Sequence, residues 1–115
     1  MNHEFIREYC LAKPSVTEGF PFGDETLVFK LYDKIFLLLN LGESNTFNVK
    51  CDPEKAIIYR TRFDEILPGY HMNKKHWNTI SFTHTLSDDF MLEMINDSYS
   101  LILQSIPKKI QSNHQ

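Results

Sequence analysis

Twelve consecutive residues, Pro68-Gly69-Tyr70-His71-Met72-Asn73-Lys74-Lys75-His76-Trp77-Asn78-Thr79, hold two lysines, two histidines, two asparagines and two large aromatic rings. A folding core does not need that mixture, whereas a surface that grips a polar ligand does. Lys74 and Lys75 can neutralise phosphate or carboxylate oxygens. Asn73 and Asn78 can donate and accept toward base edges or backbone, and Tyr70, His71, His76 and Trp77 offer flat faces for stacking. Upstream, Lys50, Arg60 and Arg62 are the further cations that could join them. The same string also admits a structural account. Pro68-Gly69 suits a turn, Tyr70 and Trp77 suit core rings with polar ends, and Asn73 can tie a loop through its backbone. The two lysines belong at the surface under either account, because unpaired lysine is almost never buried.

Chemistry beyond binding finds no support. The chain has no HExxH, no glycine-rich phosphate loop, no GxSxG and no CxxC, so metal hydrolysis, nucleotide hydrolysis and serine-hydrolase chemistry lack their usual residues. His71 and His76 lie five apart, a spacing that sends them to different sides of a helix or opposite faces of a strand. No catalytic residue, metal site or cofactor is therefore expected, and the protein is read as a non-enzyme. Cys10 and Cys51 are far apart in the chain and read as reduced, half-buried thiols.

The charge pattern agrees with a local site. The net charge of −3 argues against a surface that adheres to nucleic acid everywhere. Residues 1–25 carry five acids and two bases, residues 82–103 four acids and no base, but residues 50–76 carry six bases against four acids. The middle of the chain is a modest basic island, to which His71 and His76 add charge in mild acid.

The elements that must position these residues can be read in order. The 115 residues, 42% of them hydrophobic, suffice for one domain with one core. No apolar run approaches the roughly 18 residues of a membrane span, and residues 1–4 lack a signal-peptide pattern, so a cytoplasmic location with no membrane partner is expected. Asn2 caps a helix over 3–12 whose apolar stripe is Phe5, Ile6, Tyr9 and Cys10. Residues 15–24 read as an ordered loop anchored on the body by Phe20 and Phe22. Strands follow at 26–31, 35–41 and 46–50, with connections short enough for an antiparallel meander. The middle strand is apolar on both sides, so each face needs cover or a partner. Asp52 and Pro53 start a helix to about residue 63, residues 76–82 suit a fourth strand, and Ser87 caps a last helix that ends at Pro107. The domain is assigned to residues 1–109 and a flexible tail to 110–115.

The chain resembles the MmcQ/YjbR family of small bacterial proteins over almost its whole length. The likeness is carried by Lys13-Pro14-Ser15-Val16-Thr17-Glu18, Phe20-Pro21-Phe22-Gly23, Thr26-Leu27-Val28-Phe29-Lys30, Lys50-Cys51-Asp52-Pro53 and above all the stretch from Pro68 to Asn78. Ser15 departs from the pattern, which tends to have Gly there, as does Gly19, where the pattern tends to be acidic. The resemblance implies an α+β, CyaY-like fold, a twisted antiparallel sheet with flanking helices, in agreement with the order α-β-β-β-α-β-α read above. It also implies DNA binding, through phosphate and base contacts from Asn73-Lys74-Lys75-His76-Trp77. The alternative is a small interaction module that holds an anionic small molecule or a protein carboxylate at the same segment. Iron binding, known for that fold, is not carried over, because the first helix offers only Glu4 and Glu8 in place of an acidic ridge.

Overall fold

A computed structural model describes residues 1–83 and 85–113. The elements run α1 (His3–Leu11), β1 (Val16–Gly19), β2 (Thr26–Leu31), β3 (Lys34–Asn40), β4 (Thr46–Lys50), α2 (Pro53–Arg62), β5 (Ile66–Pro68), β6 (Trp77–Ser81), α3 (Asp88–Ser105) and α4 (Lys108–Asn113). The six strands form one antiparallel sheet in the order β1-β2-β3-β4-β6-β5. Every expected element is present in its expected order, and the two short strands β1 and β5 extend the sheet at its edges.

Local chemistry sets the helix starts. Asn2 Oδ1 accepts from the Phe5 amide, Asp52 Oδ2 from the Glu54 and Lys55 amides, and Ser87 Oγ from the Phe90 amide. Each satisfies donors that a first helical turn leaves open. The β2–β3 connection is a two-residue turn in which Tyr32 and Asp33 both have positive φ (48° and 67°), the primed geometry that matches strand twist. Ser15 also has a positive φ, 64°, which is the conformation that favours the glycine expected by the family pattern.

The core lies between one face of the sheet and the helices. Phe29, Leu31, Leu37, Leu39, Phe47 and Ile80 pack there against Ile6, Met91, Ile95 and Ile102. Phe36 is the extra residue of a bulge, since Phe29 pairs with Leu37 and Lys30 with Ile35, so two successive residues of β3 turn to the helix side. Ser98, fully buried in the α3 stripe, accepts from the Lys50 amide at 2.9 Å and donates to the Phe36 carbonyl at 2.6 Å, joining the helix to β3 and β4.

Two expectations need correction. The tail assigned to 110–115 is helical as far as Asn113, because Gln111 Nε2 donates to the Leu103 and Ile106 carbonyls and docks α4 on the end of α3; residues 114–115 lie outside the described residues. Phe20 and Phe22 do not anchor their loop in the core, for both are mostly exposed. With β1 supplying the attachment of this segment to the sheet, its rings are left to project from the β1–β2 connection.

Candidate functional site on the open face of the sheet

The second face of the sheet has no helix. Strand periodicity puts Thr46, Asn48 and Lys50 on it, alternating with the core residues Phe47 and Val49. The register then sets one row straight across the sheet: Val28, Leu38, Asn48, Thr79 and Leu67 are successive cross-strand partners. Four of these, Leu38, Asn48, Thr79 and Leu67, line a concave groove of about 820 Å³, within the ordinary range for small-ligand sites. Its floor is Leu38 with the amides and hydroxyls of Asn40, Thr46, Asn48 and Thr79. Leu38 answers the sequence question of what covers the doubly apolar strand, because its open side is this floor.

The walls are aromatic. Tyr70, 70% exposed, and His71 stand on one side with ring centroids 4.0 Å apart, and Phe22, 66% exposed, is also part of the lining. His71 has φ 60°, a left-handed conformation that is strained for a residue with a side chain and of the kind found at ligand clamps. Glu25 is the charged residue of the lining, which contains no lysine or arginine among the described residues.

The β5–β6 hairpin that carries Tyr70 and His71 is held by its own polar residues. Gly69 donates to the Trp77 carbonyl at 2.8 Å, and the Tyr70 amide donates to Thr79 Oγ1 at 2.9 Å. The Asn73 carbonyl accepts from the His76 and Trp77 amides, while Asn73 Oδ1 accepts from the Lys75 amide at 2.9 Å. Arg60 reaches over from α2, donating to Asn78 Oδ1 at 2.7 Å and to the Lys74 carbonyl.

These contacts sort the sequence-predicted residues. Tyr70 and His71 line the groove, and Lys74 lies at its rim, with Nζ donating at 3.1 Å to the carbonyl of Gly69, between the lining residues Pro68 and Tyr70. Lys75 is exposed on the same hairpin and His76 is half-buried there. Lys50 is on the open face, two positions beyond Asn48 and opposite Trp77. Trp77 is half-buried and does not line the groove. Asn78 is corrected outright: at 1% exposure it faces the helix side, so it braces the hairpin and cannot meet a base directly. Arg60 and Asn73 are likewise engaged in holding the hairpin, and Arg62, two residues on, points away from Arg60 round the helix. The sequence reading missed Phe22 as a wall, Glu25, and the polar floor of Asn40, Thr46, Asn48 and Thr79. The signal for the floor was the polar alternation along β4, which acquires meaning only once the register sets its neighbours.

Among the described residues no cluster of His, Cys, Asp or Glu is arranged to hold a metal ion, and no helix is long and apolar enough to cross a membrane. Burial pushes the Cys10 thiol up to about 12 and the Cys51 thiol up to about 11, the opposite of what a nucleophilic cysteine requires.

The family model described as YjbR matches residues 11–101. The chain belongs to the YjbR family. Among its relatives is the uncharacterized protein YbdF of Escherichia coli O157:H7, 37% identical over 110 residues that cover 95% of this chain and 90% of the relative. The uncharacterized protein YjbR of Escherichia coli K12 is 25% identical over 90% of this chain and 89% of its own. Of solved structures, the Deinococcus radiodurans protein DR2400, a DUF419 domain, superposes with a TM-score of 0.89 at 30% identity, covering 97% of this chain and 86% of that one. A Pseudomonas syringae protein superposes with a TM-score of 0.74 at 25% identity, covering 88% of this chain and 98% of that one. This YjbR-family chain thus shares its single α+β domain, a six-stranded antiparallel sheet with helices, with these neighbours.

Proposed function

We propose that this YjbR-family protein is a non-catalytic nucleic-acid-binding module, with DNA as its first candidate, that takes an unpaired base into the open-face groove. Lys74 and Lys75 meet the adjoining phosphates from the hairpin crest. The observation that carries this reading is the division of labour across the site. The groove has aromatic walls and a hydrogen-bonding floor, which suit a flat polar ring, and the Lys74 ammonium is held by the Gly69 carbonyl next to the lining residues Pro68 and Tyr70, where a phosphate would follow. Unpaired bases are recognised by stacking on aromatic side chains and by bonds to their exposed edges.

Duplex DNA lying along a convex basic stripe is supported less well. That surface would need Lys50, Arg60, Arg62, Lys74 and Lys75 turned outward together, yet Arg60 braces the hairpin from the helix side and Lys50 belongs to the opposite face. A free phosphorylated small molecule is the second reading, favoured by a groove volume that fits one such ligand.

Fluorescence anisotropy with a labelled single strand, its duplex, an RNA strand and competing mononucleotides tests the proposal. Single strands should bind more tightly than the duplex. If Lys50, Lys74 and Lys75 supply about three phosphate contacts, the slope of log affinity against log salt is about −2 on single strands. Tyr70→Ala should weaken binding by about 1–3 kcal/mol through lost stacking. Lys74→Ala with Lys75→Ala should flatten the slope by about 1.4. No strand binding at low salt, or binding indifferent to Tyr70, refutes the reading.

A further inference from the structure

We infer that the base this groove selects is guanine, an inference that rests on the base-binding reading and sharpens it. It follows from the pattern of donors and acceptors that the floor leaves for a ligand. The Tyr70 amide can only donate, so Thr79 Oγ1 accepts from it and passes its own hydroxyl proton to Asn48 Oδ1. In this arrangement Asn48 Oδ1 takes the hydroxyl proton and Nδ2 is left as a donor to the groove. The Gly42 amide donates to Asn40 Oδ1 at 2.8 Å, which orients the second amide in the same sense. The two side chains are diagonal neighbours on adjacent strands, about 7–8 Å apart at the backbone. Among the described residues neither Nδ2 has another partner, and both residues line the groove.

Glu25 supplies the complement. Its Oε2 lies 3.5 Å, and Asn40 Oδ1 3.1 Å, from the point where a Cβ on Gly42 would stand, so the carboxylate and the amide flank the same spot. The ion pairs of the described residues, Met1–Asp88 and Arg7–Glu18, leave Glu25 out. The groove therefore offers a two-oxygen acceptor and the amide donors of Asn40 and Asn48 in its lining, while the lysines are on the hairpin.

A carboxylate with both oxygens free calls for two adjacent donors on the ligand. Guanine alone among the bases has them on its pairing edge, as N1–H and the N2 amino group, with the O6 acceptor next to them for an amide donor. Cytosine and adenine each turn a ring-nitrogen lone pair toward the carboxylate beside a single amino group, and thymine flanks one N–H with two carbonyl oxygens. An arginine from a protein partner would match Glu25 and the aromatic walls, but it has no acceptor for Asn40 and Asn48 and would meet like charge at Lys74.

The test is anisotropy with a short thymidine strand carrying dG, dA, dC or deoxyinosine at its centre, together with competition by guanosine monophosphate and by an arginine-containing peptide. The dG strand should bind about tenfold or more tightly than the dA, dC and all-thymidine strands, and deoxyinosine, which lacks the N2 amino group, should fall between. Glu25→Gln, checked for folding by circular dichroism, should erase the preference, bringing the dG strand to within about threefold of the dA, dC and all-thymidine strands. Competition by the free nucleotide at the strand's own affinity would identify the mononucleotide as the source of the base, and weak competition the strand. Equal binding of all strands overturns the guanine inference and leaves base binding standing. A preference that survives Glu25→Gln, or displacement by the arginine peptide alone, also overturns it. Failure of every strand and nucleotide to bind removes both readings.

Discussion

Gly69→Ala isolates the geometry that builds the hairpin wall. A Cβ at this position would stand 2.7 Å from Trp77 Cβ, 3.0 Å from the Trp77 carbonyl oxygen and 3.1 Å from Met72 Cβ. Two of those atoms are at or beside the backbone of the opposing strand, so no flexible side-chain end can swing away. The strands must part by several tenths of an ångström, against the 2.8 Å bond from the Gly69 amide to the same Trp77 carbonyl. Overpacking of this kind costs about 1–3 kcal/mol. Unfolding entropy near 2.1 cal/mol/K per residue makes each kcal/mol worth about 4 °C in a chain of this size, so Tm should fall by about 4–12 °C.

Thermal and urea unfolding followed by circular dichroism measure the effect, with Gly19→Ala as the control. Nothing lies within 4 Å of a Cβ at Gly19, so that variant should stay within about 0.5 kcal/mol of the parent. Because Lys74 is tied to the Gly69 carbonyl and Tyr70 is the next residue, the shift should also weaken base binding. A Gly69→Ala protein within about 0.5 kcal/mol of the parent would refute the argument that this close approach sets the wall.

Ser98→Ala should destabilise by about 1–3 kcal/mol in urea unfolding, since it strands the Lys50 amide and the Phe36 carbonyl that Ser98 joins; a neutral result would mean that the two strands pair without the helix. Arg60→Ala should cost about 1.5–3 kcal/mol and broaden the amide signals of residues 70–77. It removes a charged donor from Asn78, whose Nδ2 is already without a partner among the described residues, and Arg60→Lys should restore little because one ammonium cannot copy the fork. The raised Cys10 and Cys51 thiols, at about 12 and about 11, stay protonated in the fold but ionise near 9 when unfolded, so their stabilisation is complete below pH 9 and is lost as pH climbs through 11 and 12. Urea midpoints should drop between pH 8.5 and 10.5, less steeply in a Cys10→Ala, Cys51→Ala variant, and equal slopes would contradict the assignment.

What could be read in the sequence was what is decided locally. The caps at Asn2, Asp52 and Ser87 act on amides two or three residues away, so their helices were legible to within a residue or two at their starts. The edge strands were not. The four residues of β1 show no alternation in burial, and β5 is three residues ending in Pro68, tolerated only because an edge position needs no amide donor there. Both are defined by their partners across the sheet, and pairing has no local signature at that length. Phe20 and Phe22 failed for the same reason. An aromatic residue in a Pro-rich and Gly-rich loop reads as an anchor unless a strand such as β1 already fixes the loop.

The hairpin motif shows how residue type and residue role can part. Read as a string, Asn73, Lys74, Lys75, His76 and Asn78 look like one battery of polar contacts directed at a ligand. In the fold, Asn78 is 1% exposed and carries Arg60, Asn73 closes its own turn, and the Lys74 ammonium spans to a carbonyl. A hairpin that must hold Tyr70 and His71 away from the body, with His71 in a left-handed conformation, needs these internal bonds to offset the strain. The polar residues therefore come before the aromatic walls in the causal order. They build the hairpin, the hairpin presents the rings, and the rings close a groove whose proposed selectivity lies elsewhere, with Asn40 and Asn48 on β3 and β4 and Glu25 just before β2. A survey of substitutions should accordingly separate by kind: those at Arg60, Asn73 and Asn78 lowering stability and binding together, and those at Tyr70 and Glu25 changing what is bound with little change in Tm.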